Sequence, residues 1–136
     1  MLTAPDSDRL RLVLVDDAVD LRELMGFALE RCGAFTVVGE AADGEEGLRV
    51  IEDLRPDVVL LDVAMPVMDG LEMLSLARPL CPASAFIVYS AHPSSRLAQL
   101  ALDLGADAYL QKGASPRTMI AQVLAATRKR DVSRAS

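Results

Sequence analysis

The sequence predicts an α/β domain of five strand–helix units, (βα)5, built on one parallel sheet with helices on both sides. Three observations carry that expectation. Short apolar runs alternate with amphipathic helical patterns along the whole chain. The runs are apolar at successive positions, as in Val58-Val59-Leu60-Leu61, which a strand buried on both faces requires. Glycines, prolines and capping residues stand where the helical patterns must begin or stop.

Leu10 to Val15 reads as the first strand. Leu21, Leu24, Met25, Ala28, Leu29 and Cys32 then recur at the spacing of one helix face, with Gly33 as its stop. Phe35 to Gly39 reads as the second strand. Asp43 and Glu46 have the spacing of a capping box, and Leu48, Ile51 and Leu54 continue a helix that Pro56 ends. Val58 to Leu61 forms the third strand, followed by a loop to Gly70 and a short helix from Leu71 to about Arg78, closed by Pro79 and Pro82. Ala85 to Tyr89 is the fourth strand. After Pro93, Leu97, Leu100, Ala101 and Leu104 outline a helix stopped by Gly105. Ala108 to Leu110 is the fifth strand. Ser115-Pro116 then opens a last helix as N-cap and first helical residue, with Met119, Ile120, Val123 and Leu124 on its buried face. The domain is therefore set at residues 9–130. A flexible N-terminus precedes it at 1–8, and a flexible tail, or the start of a linker, follows at 131–136.

The 136 residues suit a single domain. Aromatic residues make up only 4%, without tryptophan, so the core must be aliphatic. A formal charge of −6 argues against direct nucleic-acid binding and favours a cation ligand or a basic partner. Cys32 and Cys81 lack metal-ligand spacing and read as reduced packing residues. Met65, Met68 and Met73 read as core or loop filling. Neither a signal core nor an apolar run long enough for a membrane span is present, so a cytoplasmic protein is expected.

In open α/β sheets the working crevice lies beyond the carboxyl ends of the strands. Here the first strand ends in Asp16-Asp17, the third in Asp62 and the fourth in Ser90, while Lys112 follows the fifth. Singly, each has a plain explanation: a turn or N-cap pair, a loop acid, a capping hydroxyl, a surface lysine. Jointly they place three carboxylates, a hydroxyl and an ammonium on one rim. Two carboxylates about 4 Å apart repel by ~4 kcal/mol at an effective dielectric of 20. Either a carboxyl holds a proton or a cation sits among them. All-oxygen ligation is the habit of Mg²⁺, whereas the nitrogen and sulfur donors that zinc prefers are missing from the rim. Such a rim suits phosphoryl oxygens, and a carboxylate there can itself be the attacking nucleophile.

With these residues in place the chain resembles the receiver domain of two-component response regulators, over roughly residues 9–130. The motifs are Leu-Val-Asp-Asp (14–17), Leu-Leu-Asp-Val-Ala-Met-Pro-Val-Met-Asp-Gly (60–70), Tyr-Ser-Ala (89–91) and Gly-Ala-Asp-Ala-Tyr-Leu-Gln-Lys (105–112). The resemblance implies a flavodoxin-like, doubly wound five-stranded sheet of order 2-1-3-4-5. It also implies that Asp62 accepts a phosphoryl group from a sensor histidine kinase or a phosphotransfer protein. Asp17, Asp62 and the backbone carbonyl of Ala64 would hold Mg²⁺ directly, and Asp16 would do so through water. Lys112 and Ser90 would bind the phosphoryl group. Ser90 and Tyr109 would form the conformational switch, read on a surface made by the helix after the fourth strand, the fifth strand and the last helix, where a homodimer would also form. Ala64 and His92 occupy positions that tune dephosphorylation in this family. The glycine-rich stretch before Lys112 is similar to that of receivers joined to a LuxR-type helix-turn-helix, which implies a transcriptional output.

Two departures stand out. Gly113 follows the lysine where receivers usually carry a proline, often cis, and Ser90 replaces the commoner threonine. The expectation is a signalling module rather than a turnover enzyme. The rivals are a phosphate-independent binding module and an aspartyl-nucleophile phosphatase. The latter commonly carries an acid two residues after the nucleophile, where this chain has Ala64.

Overall fold

The computed structural model describes residues 9–65, 67–91 and 94–135. They form β1 (Leu10–Val15), α1 (Val19–Arg31), β2 (Phe35–Ala41), α2 (Gly44–Leu54), β3 (Val58–Asp62), α3 (Gly70–Leu80), β4 (Ala85–Ser90), α4 (Ser95–Asp103), β5 (Ala108–Gln111) and α5 (Pro116–Ala135). Every strand pairing is parallel and the order is β2-β1-β3-β4-β5, the doubly wound sheet the sequence predicts.

The unbroken apolar runs have a direct structural consequence. Successive strand side chains point to opposite faces, so each run supplies two cores. Leu12, Leu14, Val58, Leu60, Ile87 and Tyr89 face Met25 and Leu29 of α1 and Val123 and Ala126 of α5. Val13, Val15, Val59, Leu61, Phe86 and Val88 face Ile51 of α2, Met73, Leu74 and Ala77 of α3 and Ala101 of α4. Burying both faces removes water from every strand of the centre and leaves the chain's polar chemistry to the strand ends.

Local signals set most helix ends. Asp43 accepts the Glu46 N–H at 2.8 Å, and the Glu46 carboxylate in turn accepts the Ala42 N–H at 2.7 Å, so the predicted box is made. Ser115 accepts the Thr118 N–H at 3.2 Å at the start of α5, as its N-cap role requires. Asp69 caps α3 through the Glu72 N–H at 2.9 Å, a cap not foreseen from the sequence. Gly33, at φ +85°, takes the left-handed position just past α1.

Several boundaries and faces differ from expectation. α3 runs through Pro79 to Leu80, because proline in a final turn forfeits only one bond of a ladder that is ending anyway. α5 runs to Ala135, past residue 130, since extending a formed helix costs little. The eight N-terminal residues lie outside the described ones. On α1, Leu24 is 63% exposed and Cys32 is exposed, so of the six-residue stripe only Met25 and Leu29 are fully buried. Leu100 of α4 is likewise exposed. Cys81 is a buried packing residue, and both cysteines are free thiols. Met73 is buried, while Met65 and Met68 pack partly against the same core. Among the described residues no helix is long and apolar enough to cross a membrane.

Candidate functional site

Strand order reverses between β1 and its neighbours, because the chain leaves β1 for β2 on one side and returns to β3 on the other. The parallel register then brings the strand ends level: Val15 pairs with Leu61, Asp62 with Tyr89, and Ser90 with Gln111. Asp16, Asp17, Asp62, Ser90 and Lys112, scattered over the sequence, therefore converge on one rim. One carboxylate oxygen from each of Asp16, Asp17 and Asp62 lies within 4.8 Å of the others. Asp16 is 0% and Asp62 2% exposed, whereas Asp17 faces solvent.

Asp16 is held on all sides. Its Oδ1 accepts the Ala18 N–H at 2.8 Å, so the turn-capping role foreseen for this pair is realised by one oxygen. Its Oδ2 accepts the hydroxyl of Tyr89 and lies 3.5 Å from Lys112 Nζ. The backbone N–H of Asp16 donates to Ala41, and its carbonyl accepts from Arg22 of α1.

Asp62 has fewer partners. Its Oδ1 accepts the Ala64 N–H at 3.2 Å, and its Oδ2 lies 3.1 Å from Lys112 Nζ. Burial pushes its carboxyl above the usual range; the hydrogen bond from Lys112 works against that, and the charge of Asp16 adds to it. The lysine thus bridges two acids and also stands 5.0 Å from the centre of the Tyr89 ring.

The loop after β3 is what keeps Asp62 at the rim. The Gly70 N–H donates to the Val63 carbonyl at 2.9 Å, and the Gly44 N–H donates to Met68 at 3.1 Å, so the loop closes on itself and is pinned to α2. Any Cβ at Gly70 would collide with the Asp62 backbone carbonyl, and one at Gly44 with the Met68 carbonyl. Between these points Val67 takes a left-handed conformation at φ 69°, unusual for a β-branched residue.

Ser90 is buried at the end of β4, and its carbonyl accepts the Lys112 N–H at 2.7 Å. Tyr109 is half-buried and packs against the α2–α3–α4 core, on the sheet face opposite Tyr89. Ala64 is exposed beside Asp62. His92 lies outside the described residues. Among those residues no peptide bond is cis, and Gly113 takes φ +93°, so the loop after Lys112 turns on a glycine rather than on a proline. Tyr89 is the one rim residue that sequence reasoning did not assign to the site. The signal available was its hydroxyl within an otherwise apolar run.

The donor set fits a hard divalent cation. Among the described residues three carboxylates share the rim with a single ammonium, every donor atom is oxygen, and one of the acids stays open to solvent. A doubly wound parallel sheet with an acid-lined crevice at its reversal point, closed by a lysine, defines a receiver of two-component signalling.

The chain belongs to the response regulator receiver domain family, which matches residues 12–124. It is 37% identical to the nitrate/nitrite response regulator protein NarL of Escherichia coli strain K12 over 109 residues, covering 80% of this chain and 50% of that one. It is 39% identical over 104 residues to a protein-glutamate methylesterase/protein-glutamine glutaminase of Geobacter sulfurreducens, covering 76% of this chain and 28% of the relative. The chain thus spans half or less of the length of these two relatives. Among solved structures, the receiver domain of the NarL response regulator from Mycobacterium tuberculosis superposes with a TM-score of 0.84 at 34% identity, over 89% of this chain and 98% of that one. A CheY-like receiver domain protein from Methanospirillum hungatei superposes at 0.83 with 28% identity, over 92% and 98%.

Proposed function

We propose that Asp62 is the phosphoacceptor of this receiver and that the phosphoryl group comes from a sensor histidine kinase or a phosphotransfer protein. The observation that carries the reading is the charge imbalance at the rim: three acids converge on one lysine, which is shared between Asp16 and Asp62. Asp17, Asp62 and the Ala64 carbonyl would hold Mg²⁺, with Asp16 contributing through water. When bound, the ion supplies positive charge beside the phosphoryl oxygens.

The chemistry asked of the chain itself is modest. An Asp62 carboxylate oxygen attacks phosphorus, the bond from phosphorus to the donor's imidazole nitrogen breaks, and an acyl phosphate forms. Lys112 counters the burial that would otherwise hold a proton on the nucleophile, then follows the charge as it moves onto the phosphoryl oxygens. Ser90, one residue past the partner of Asp62 on the neighbouring strand, donates to one of those oxygens. Movement of Ser90 towards the phosphate opens the space into which Tyr109 turns. This is a local charge event biasing a two-state element, read on α4, β5 and α5, the surface through which a homodimer also forms. Ala64 and His92 set the lifetime of the acyl phosphate. The output is transcriptional, through another part of the protein or a partner, because a domain of charge −6 is a poor ligand for DNA. The site is self-modifying rather than a turnover centre, since Ala64 leaves no general acid two residues past the nucleophile.

Incubation with Mg²⁺ and acetyl phosphate, followed by intact-mass analysis, tests this. The wild type is expected to gain ~80 Da as a hydroxylamine-labile adduct, the mark of an acyl phosphate, and Asp62→Asn to gain nothing. An unmodified wild type, or an equally modified variant, would overturn the assignment.

A further inference from the structure

Tyr89 sits on the β4 face turned towards α1 and α5, in line with Ile87, where an aliphatic side chain would fill the space without burying a hydroxyl. It is 3% exposed, so that hydroxyl needs an acceptor inside the protein, and the acceptor is Asp16, 73 residues away in sequence. The ring is packed in the core beneath α1 and α5. One side of it lines a cleft of about 200 Å³ between α1 and α5, together with Leu24, Met25, Leu60, Leu110 and Met119. Besides this packing, its hydroxyl bonds Asp16 and the Lys112 ammonium stands beside its face.

The census of donors on Asp16 gives this contact its importance. Oδ1 is satisfied by the Ala18 N–H, and Oδ2 is served by two groups, Tyr89 and Lys112. Lys112 is the group shared with Asp62, and it is drawn away when charge appears on a phosphoryl group. Tyr89 then remains as the side-chain donor on Oδ2.

We propose that Tyr89 is a positioning residue of the metal site: its hydroxyl fixes the Asp16 carboxylate so that Oδ2 faces the rim whether or not Lys112 is engaged there. This rests on the reading of the rim as a Mg²⁺ site. The role is that of an outer partner to an acidic ligand, and losses of such partners typically weaken metal affinity 10–100-fold. Tyr89 acts on a carboxylate that itself reaches the ion through water, so the low end applies. Calorimetric titration with Mg²⁺ alone is expected to give a dissociation constant about tenfold weaker for Tyr89→Phe than for wild type. Far-UV circular dichroism should show the same fold in both.

A second measurement does not depend on how well that variant folds. The chain has two tyrosines and no tryptophan. In Tyr109→Phe the tyrosine absorption band comes from Tyr89 alone, and Mg²⁺ is expected to shift it with the midpoint found by calorimetry. A Tyr89→Phe variant that binds Mg²⁺ within twofold of wild type would overturn the proposal. So would a Tyr89 band unmoved by saturating Mg²⁺. A wild type without saturable Mg²⁺ binding would instead sink the reading of the rim itself, and the role of Tyr89 with it.

Discussion

The two ends of β5 carry two charge clusters that differ in one respect, their stoichiometry. At the amino end, Asp107 is a single carboxylate between two guanidinium groups: Arg78 Nη1 lies 3.2 Å from Oδ2 and Arg130 Nε 3.1 Å from Oδ1. Arg78 also donates to the carbonyls of Cys81, Pro82, Ser84 and Gly105, and its guanidinium stacks 4.5 Å from the Phe86 ring centre. Asp107 in turn accepts the Phe86 N–H at 2.8 Å. Backbone carbonyls take up the remaining donors of Arg78, and the cluster staples α3, β4, β5 and α5 together. At the carboxyl end, three carboxylates face one lysine. Both ends hold shielded carboxylates, Asp107 as well as Asp16 and Asp62, and Asp17 at the carboxyl end is open to solvent, so burial alone does not mark the working site. What does is the sign and size of the imbalance. The one extra positive charge at the amino end sits among backbone carbonyls, whereas the two extra negative charges at the carboxyl end ask for a cation from outside the chain.

Breaking the amino-end cluster should give the largest change in stability. Arg78→Ala leaves Asp107 half paired and several carbonyls without their donor, and removing one partner of a buried pair costs about 3 kcal/mol. Urea unfolding should show that loss, while acetyl phosphate still modifies Asp62 in the folded fraction. An equal loss of phosphorylation would mean that the two ends are not separate in function.

Neutralising the surplus end should act in the opposite direction. The folded chain holds the Asp62 proton to a higher pH than the unfolded chain does, since burial raises this carboxyl. Between the usual carboxylate range and that raised value the native state binds more protons, so stability falls as pH rises. Without Mg²⁺, Asp62→Asn should therefore melt a few degrees above wild type at neutral pH, and the gap should close as pH drops into the usual carboxylate range. Melting curves at several pH values check both the sign and the window.

The smallest effect is expected from the loop beside the rim. Val67 at φ 69° carries about 1–2 kcal/mol of left-handed strain, which glycine would relieve at some cost in chain entropy. Val67→Gly should gain about 0.5 kcal/mol net in urea unfolding. No gain would show that the loop's closure on Gly44 and Gly70 holds this conformation without strain.

Some of this was legible before the fold was known. Asp62 announced itself because an acid ending a fully apolar strand is out of keeping with the run before it. Asp43 and Ser115 did so because a cap is a relation between residues three apart. Leu24 was misplaced because a stripe six residues long covers more of a helix than the sheet beneath it can bury. Cys32 was misplaced with it, exposed at the C-cap of the same helix. Tyr89 was missed for a subtler reason: where both faces of a strand are buried, the pattern cannot say which residue looks towards which helix pair. Nor can it say which one ends within reach of a carboxylate.

What the residues alone determined was local: five apolar runs, the helix caps, and an acid, hydroxyl or lysine at each relevant strand end. Those depend on spacings of one to four residues and on the period of each element. Which helix faces are covered, how the strand ends align and which donor reaches Asp16 were decided by strand order and register. These join positions tens of residues apart, and no local period encodes such distances.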